Sequence, residues 1–142
     1  MTIHQLSIFI ENRSGTLIKV LEALKAANIQ IIASTIADTA EYGIYRLICS
    51  EPMRACEELK KADIAVALSD VFAIEIDDKP GRAADAMKAF SEAGISITYI
   101  YSFLLRGKGI LIFRTDNNEQ AANVINQQKL RSINEADLSA LA

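Results

Sequence analysis

Apolar and polar residues alternate near the start of the chain. Leu6, Ile8 and Ile10 interleave with Ser7, Phe9 and Glu11, which predicts a half-buried strand. The turn Asn12-Arg13-Ser14-Gly15 follows. Leu17, Val20, Leu21 and Leu24 then recur at helical spacing, and Asn28 is a helix stop. The β-branched run Ile29–Asp38 predicts a second strand, and Ala40 and Glu41 turn the chain into a third, Gly43–Ser50. Glu51–Lys61 predicts a second helix with Pro52 in its first turn, and Ile64–Leu68 a fourth strand. The pattern is βαββαβ.

The pattern then repeats. With Gly15 set on Gly81, an offset of 66, Ile8 meets Ile74, Ile10 meets Ile76, and Ala27 meets Ala93. Ile29 and Ile31 meet Ile95 and Ile97, and Gly43-Ile44 meets Gly109-Ile110. Matches that fall on glycines and on the apolar periodicity mark a duplication. The second copy predicts a strand over Val71–Ile76, a helix from about Pro80 to Ala93, and strands over Ile95–Leu104 and Ile110–Thr115. A helix over Asn118–Gln128 and a weak strand near Leu130–Ile133 complete it, leaving Asn134–Ala142 unassigned. Only Ser69-Asp70 separates the fourth strand from the fifth. The chain therefore divides into repeats 1–69 and 70–142. A core of about 70 residues is marginal alone. The expectation is an α+β protein whose two antiparallel sheets lie side by side with helices on one face.

Composition narrows the function. The 142 residues are 51% hydrophobic and 23% charged, a globular balance, and the net charge is −3. Without a basic stripe, nucleic-acid binding lacks its electrostatic term. No apolar run reaches membrane-spanning length, and the N-terminus lacks the pattern of a signal peptide, so a cytoplasmic location without membrane association is expected. Cys49, Cys56 and His4 are too few and too scattered for a zinc site, and no cofactor is expected.

The candidate chemistry lies at the first strand-to-helix turn of each copy. A helix N-terminus offers free N–H groups and a favourable dipole to an anion. Gly15 leaves room for close approach, and Asn12 carries both a donor and an acceptor. The structural alternatives are that Ser14 is an N-cap and Pro80 a helix-starting residue. In the second copy Asp78 would repel a ligand carboxylate, which makes the first turn the expected better site.

Asn12-Arg13-Ser14-Gly15-Thr16-Leu17 resembles the N-R-P-G-V-L motif of ACT domains, and Asp78-Lys79-Pro80-Gly81-Arg82-Ala83 resembles its D-K-P-G variant. The motif occurs twice, each time in a βαββαβ context, so the resemblance covers nearly the whole chain. It implies two ferredoxin-like units in strand order 4-1-3-2, and a free amino acid held between copies. Its contacts would come from these motif residues and from a polar residue on the neighbour's second strand, Gln30 or Ser96. Serine-binding members carry a His before the motif where this chain has Ile10 and Ile76. With no catalytic domain in the chain, the resemblance implies a free-standing sensor or regulatory subunit rather than an enzyme. Its partner would be an amino-acid-metabolising enzyme, and exposed edge strands suggest a homodimer. Two rivals remain. One is an interaction module without a ligand. The other is an acylphosphatase-like enzyme using Arg13, although the glycine-rich cradle and an Asn within Ile29–Asp38 are both missing.

Overall fold

The computed structural model describes residues 1–11, 14–38 and 42–141. Its contacts divide the chain into two compact units. The first is His4–Ser69 with Leu138–Ala142, and the second is Asp70–Asp137 with Met1–Ile3.

In the first unit the alternation of Leu6, Ile8 and Ile10 forms β1 (Thr2–Glu11), followed by α1 (Thr16–Ala26). Strands β2 (Ile31–Asp38) and β3 (Tyr42–Cys49), helix α2 (Pro52–Lys61) and the start of β4 (Val66–Asp77) follow. β3 pairs antiparallel with β1, Leu6 opposite Leu47 and Ile8 opposite Tyr45, and with β2 on its other side. β4 lies beside β1, and the backbone N–H of Phe9 donates to the carbonyl of Ala65. The order is therefore fourth-first-third-second. The turn expected at Ala40 and Glu41 falls outside the described residues. Leu6, Ile8 and Leu47 meet Val20 and Leu24 of α1 and Ala55 and Leu59 of α2 in one core.

The second unit repeats this with the end of β4, α3 (Arg82–Glu92), β5 (Ile97–Leu105), β6 (Lys108–Thr115), α4 (Asn118–Gln127) and β7 (Arg131–Ser132). β6 pairs with β4 and β5, while β7 pairs with the other side of β4 through Ile74–Ser132 and Glu75–Arg131. The strand order is the same. Phe72, Phe90 and Phe113 anchor its core, with Phe113 stacked on Phe72 at 5.6 Å and edge-on to Phe90 at 5.2 Å between ring centroids. The duplication extends to fine detail. Register shifts between Ile31 and Ala33 and between Ile97 and Tyr99 fall at equivalent places. Gly15 and Gly81 have φ of 90° and 86°, and Asp63 and Lys129 have φ of 64° and 54°.

Two expectations are corrected, and one unassigned segment gains a structure. Ser69 and Asp70 do not interrupt the chain. Neither removes a backbone N–H from the ladder, and β4 runs through both as one strand of 12 residues. The helix expected from Pro80 begins at Arg82. The N–H of Arg82 donates to the carbonyl of Lys79 at 3.3 Å, closing a turn with Pro80 second and left-handed Gly81 third. That is the residue order a type II turn favours. The tail contains a helix, α5 (Glu135–Leu141). Asn134 Oδ1 accepts from the N–H of Asp137 at 2.8 Å, and Asp137 Oδ2 accepts from the N–H of Asn134 at 3.2 Å. This reciprocal cap resembles the capping box, a signal legible in Asn134-Glu135-Ala136-Asp137.

Candidate functional site

Each motif turn delivers its helix through a glycine. Gly15 and Gly81 are the N-caps of α1 and α3, in left-handed geometry and with no side-chain hydrogen bond capping either helix. Ser14 is therefore not the N-cap. The helix starts after the left-handed residue, and only glycine takes that geometry without strain. Thr16 Oγ1 donates instead to the carbonyl of Glu11 at 2.7 Å, tying the helix start to the strand end. Asn12 and Arg13 lie outside the described residues. Leu17 packs against the first unit's core.

Gln30 and Ser96 sit elsewhere within their own units. Each immediately precedes the second strand, at the far end of a helix of 11 residues from its unit's motif turn, a rise of about 16 Å. Their backbones are held alike. The N–H of Gln30 donates to Ser50 Oγ at 3.0 Å, and the N–H of Ser96 donates to Asp116 Oδ1 at 3.1 Å. Within a unit, then, these side chains do not join the motif turn.

What each unit assembles beside its turn is a cleft. In the second unit it measures about 460 Å³, with apolar lining from Ile76, Ala86 and Leu130. Its charged lining comes from Glu75 and Asp77 of β4, Arg82 and Asp85 of α3, Lys108 of β6, and Lys129 and Arg131 around the start of β7. In the first unit the cleft measures about 270 Å³ and is lined by Phe9, Ile10, Glu11, Thr16, Lys19 and Val20, with Asp63, Ile64 and Ala65. Shifted by 66, these nine positions coincide with nine lining positions of the second cleft. The two clefts are one feature, duplicated.

Their electrostatics differ. In the second unit Asp77 Oδ1 meets Lys108 Nζ at 2.9 Å, Glu75 Oε2 meets Arg131 Nε at 2.9 Å, and Asp85 Oδ2 meets Arg82 Nη1 at 3.1 Å. The first two pairs stand directly opposite each other in the ladders, β4 to β6 and β4 to β7. The hydrogen bond from Lys108 holds the Asp77 carboxyl below its ordinary value, aided by the charge of Lys108, and Asp77 in turn raises the ammonium of Lys108.

Of the predicted site residues, Arg82 and Thr16 line the clefts, while Ser14, Gly15, Asp78, Lys79, Pro80, Gly81 and Ala83 do not. Asp77, and not Asp78, lines the second cleft. Sequence reasoning missed Glu75, Asp85, Lys108, Lys129 and Arg131, because cross-strand register alone sets Glu75 against Arg131 and Lys108 against Asp77. The available signal was the change from Asp63-Ile64-Ala65 to Lys129-Leu130-Arg131 at the repeat offset.

A duplicated ferredoxin-like unit with a glycine turn opening each first helix defines a class of paired α+β modules. Over residues 1–142 the chain matches the family model described as an ACT domain pair, and it belongs to that family. Among solved structures it is similar to protein BT0572 from Bacteroides thetaiotaomicron, at 36% identity and TM-score 0.93 over 98% of this chain and 96% of that one. Its fold is also that of the regulatory subunit of aspartate kinase from Thermus thermophilus, at 19% identity and TM-score 0.64 over 87% and 91% of the two chains. The corresponding subunit from Thermus flavus aligns at 18% identity and TM-score 0.58 over 87% and 90%. No curated protein matches the chain. No helix among the described residues is long and apolar enough to cross a membrane.

Proposed function

We propose that this chain is a regulatory sensor that binds a free amino acid and passes its occupancy to an enzyme of amino-acid metabolism, catalysing no reaction itself. The observation that carries the reading is the pair of motif turns, each placing a helix N-terminus without a side-chain cap beside a cleft. Such a terminus attracts a carboxylate through its N–H groups and dipole. In this reading the ligand carboxylate meets the backbone at Gly15, Thr16 and Leu17, or at Gly81, Arg82 and Ala83. Asn12 or Asp78 faces the polar head, and Gln30 or Ser96 of a neighbouring copy completes the shell. The two Thermus structures of the same fold are regulatory subunits of aspartate kinase, which supports the choice of partner class.

A homodimer belongs to the same reading. Among the described residues β2 and β5 each have one strand neighbour, and they carry the exposed side chains Ile36, Ile100 and Leu104. Sedimentation should give twice the 15.6 kDa chain mass.

Calorimetry with the twenty amino acids tests the function. Binding by one or a few is expected, and Asn12→Ala should weaken a ligand held at the first turn roughly ten- to a hundredfold, the worth of a hydrogen bond to a charged group. No heat with any amino acid overturns the reading in favour of a ligand-free interaction module.

A further inference from the structure

The two clefts share a backbone but not a charge, and five of the nine matched positions differ in charge. Two of them gain a carboxylate in the second cleft, Glu75 for Phe9 and Asp85 for Lys19, and three gain a cation there. Arg82, Lys129 and Arg131 of the second cleft correspond to Thr16, Asp63 and Ala65 of the first. Every cation at these positions in one unit is lost or reversed in the other. Among the described residues the second cleft sets four cations against three carboxylates, and the first sets two carboxylates against Lys19.

We infer that the pair is functionally unequal, with the second unit's cleft selecting a small dicarboxylate, foremost an acidic amino acid, and the first unit's cleft excluding it. The inference rests on the ligand-binding reading above and reverses the ranking of the two turns that Asp78 suggests.

Three carboxylates in the second cleft each hold one cation, and Lys129 makes no ion pair among the described residues. Arg131 engages Glu75 through Nε and Arg82 engages Asp85 through Nη1, so each guanidinium keeps further N–H donors. A planar guanidinium fork matches a carboxylate in bidentate geometry, and two forks with a lysine suit two carboxylates. The carboxylates at Glu75 and Asp85 offer a place for an ammonium group. Ile76, Ala86 and Leu130 provide an apolar surface for the methylenes between the ligand's charged ends. The volume of about 460 Å³ lies within the range of small-molecule sites.

In the first cleft the same ligand would meet Asp63 in place of Lys129. Like charges repel, and Lys19 is the one cation set against Glu11 and Asp63 among the described lining residues.

The first unit also supplies a clean variant. Lys129 and Asp63 share left-handed backbone geometry, so Lys129→Asp installs a residue the fold already carries at that φ. Aspartate tolerates this region better than most residues. The experiment is calorimetry on the full chain with L-aspartate, L-glutamate and succinate, against L-asparagine and L-glutamine, for wild type, Lys129→Asp and Arg131→Ala. The acids should bind at least about tenfold more tightly than their amides, Lys129→Asp should abolish that margin at unchanged melting temperature, and Arg131→Ala should reduce it. Added salt should weaken binding of the acids. Amides that bind as well as the acids, or an unaltered margin in Lys129→Asp, would overturn the inference while leaving amino-acid sensing in place. Succinate binding as tightly as the amino acids, with Lys129→Asp abolishing it, supports the dicarboxylate cleft and removes the amino-acid reading instead. Silence from all five probes overturns the inference.

Discussion

The side chain of Ile76 lies across Gly109, its strand partner, so closely that a Cβ on the glycine would stand 3.0 Å from Ile76 Cγ1. The equivalent pair is looser, for a Cβ on Gly43 would meet Ile36 Cγ2 at 3.3 Å and Ile10 Cγ1 at 3.5 Å. Ile76 and Ile10 both line clefts, so these glycines set how far each isoleucine reaches into its cleft. Gly109→Ala should push Ile76 toward the cleft and cost about 1 kcal/mol, the low end for overpacking because the isoleucine is only half-buried. Gly43→Ala should be nearly neutral, since replacing a strand glycine recovers about as much as the tighter contact costs. Urea unfolding of both variants checks the difference.

Gly81 poses a different constraint. A Cβ there meets nothing within 4 Å, so the cost of Gly81→Ala is purely that of the left-handed backbone at φ 86°. That is about 1 kcal/mol. Denaturant titration should find this loss, and a loss near zero would mean that the turn relaxes.

The ion pair of Asp77 with Lys108 gives a pH signature. The Asp77 carboxyl is depressed in the folded state, chiefly by the hydrogen bond from Lys108. Its contribution is therefore complete above the unfolded-state value and is lost as pH falls through the lower folded value. Lys108 is raised, so its share is lost only as pH climbs through its elevated folded value. Carboxyl-detected NMR titration should place Asp77 below the usual aspartate range in wild type and return it toward that range in Lys108→Gln.

Phe113 sits between Phe72 and Phe90 and is fully buried. Phe113→Ala leaves a cavity that neither ring can fill alone, and the expected loss is about 3–5 kcal/mol. Native-state hydrogen exchange should register that loss across β4, β6 and α3. A uniform small loss would argue that the aromatic cluster is loosely packed.

Most of the architecture is legible before any coordinates. Leu6, Ile8 and Ile10 announce β1, and the glycines at 15, 43, 81 and 109 align the copies because each answers a backbone demand that recurs. What resists reading depends on partners distant in sequence. Asp77 meets Lys108 and Glu75 meets Arg131 only because strand register places them opposite. Local chemistry that was legible also went unread, as in the tail, where Asn134 and Asp137 cap each other. A second equivalence escapes residue matching altogether. Arg54 Nη1 donates to the carbonyl of Ala27 at 2.6 Å, and Gln120 Nε2 donates to that of Ala93 at 3.1 Å. The same helix end is closed in both units by dissimilar side chains, so geometry is kept where identity is not.

The terminal segments carry a practical lesson about dissection. Met1–Ile3 belong with the second unit, Leu138–Ala142 with the first, and β4 passes from one to the other without a break. Ser139 Oγ, near the C-terminus, donates to the carbonyl of Ser50 at 3.2 Å. A scission between Ser69 and Asp70 should therefore leave neither fragment with all the residues of its unit. Each piece would lack a few residues of its own unit and carry a stray end belonging to the other. The two halves should behave as complementing fragments, poorly ordered apart and recovering structure on mixing, rather than as exchangeable parts.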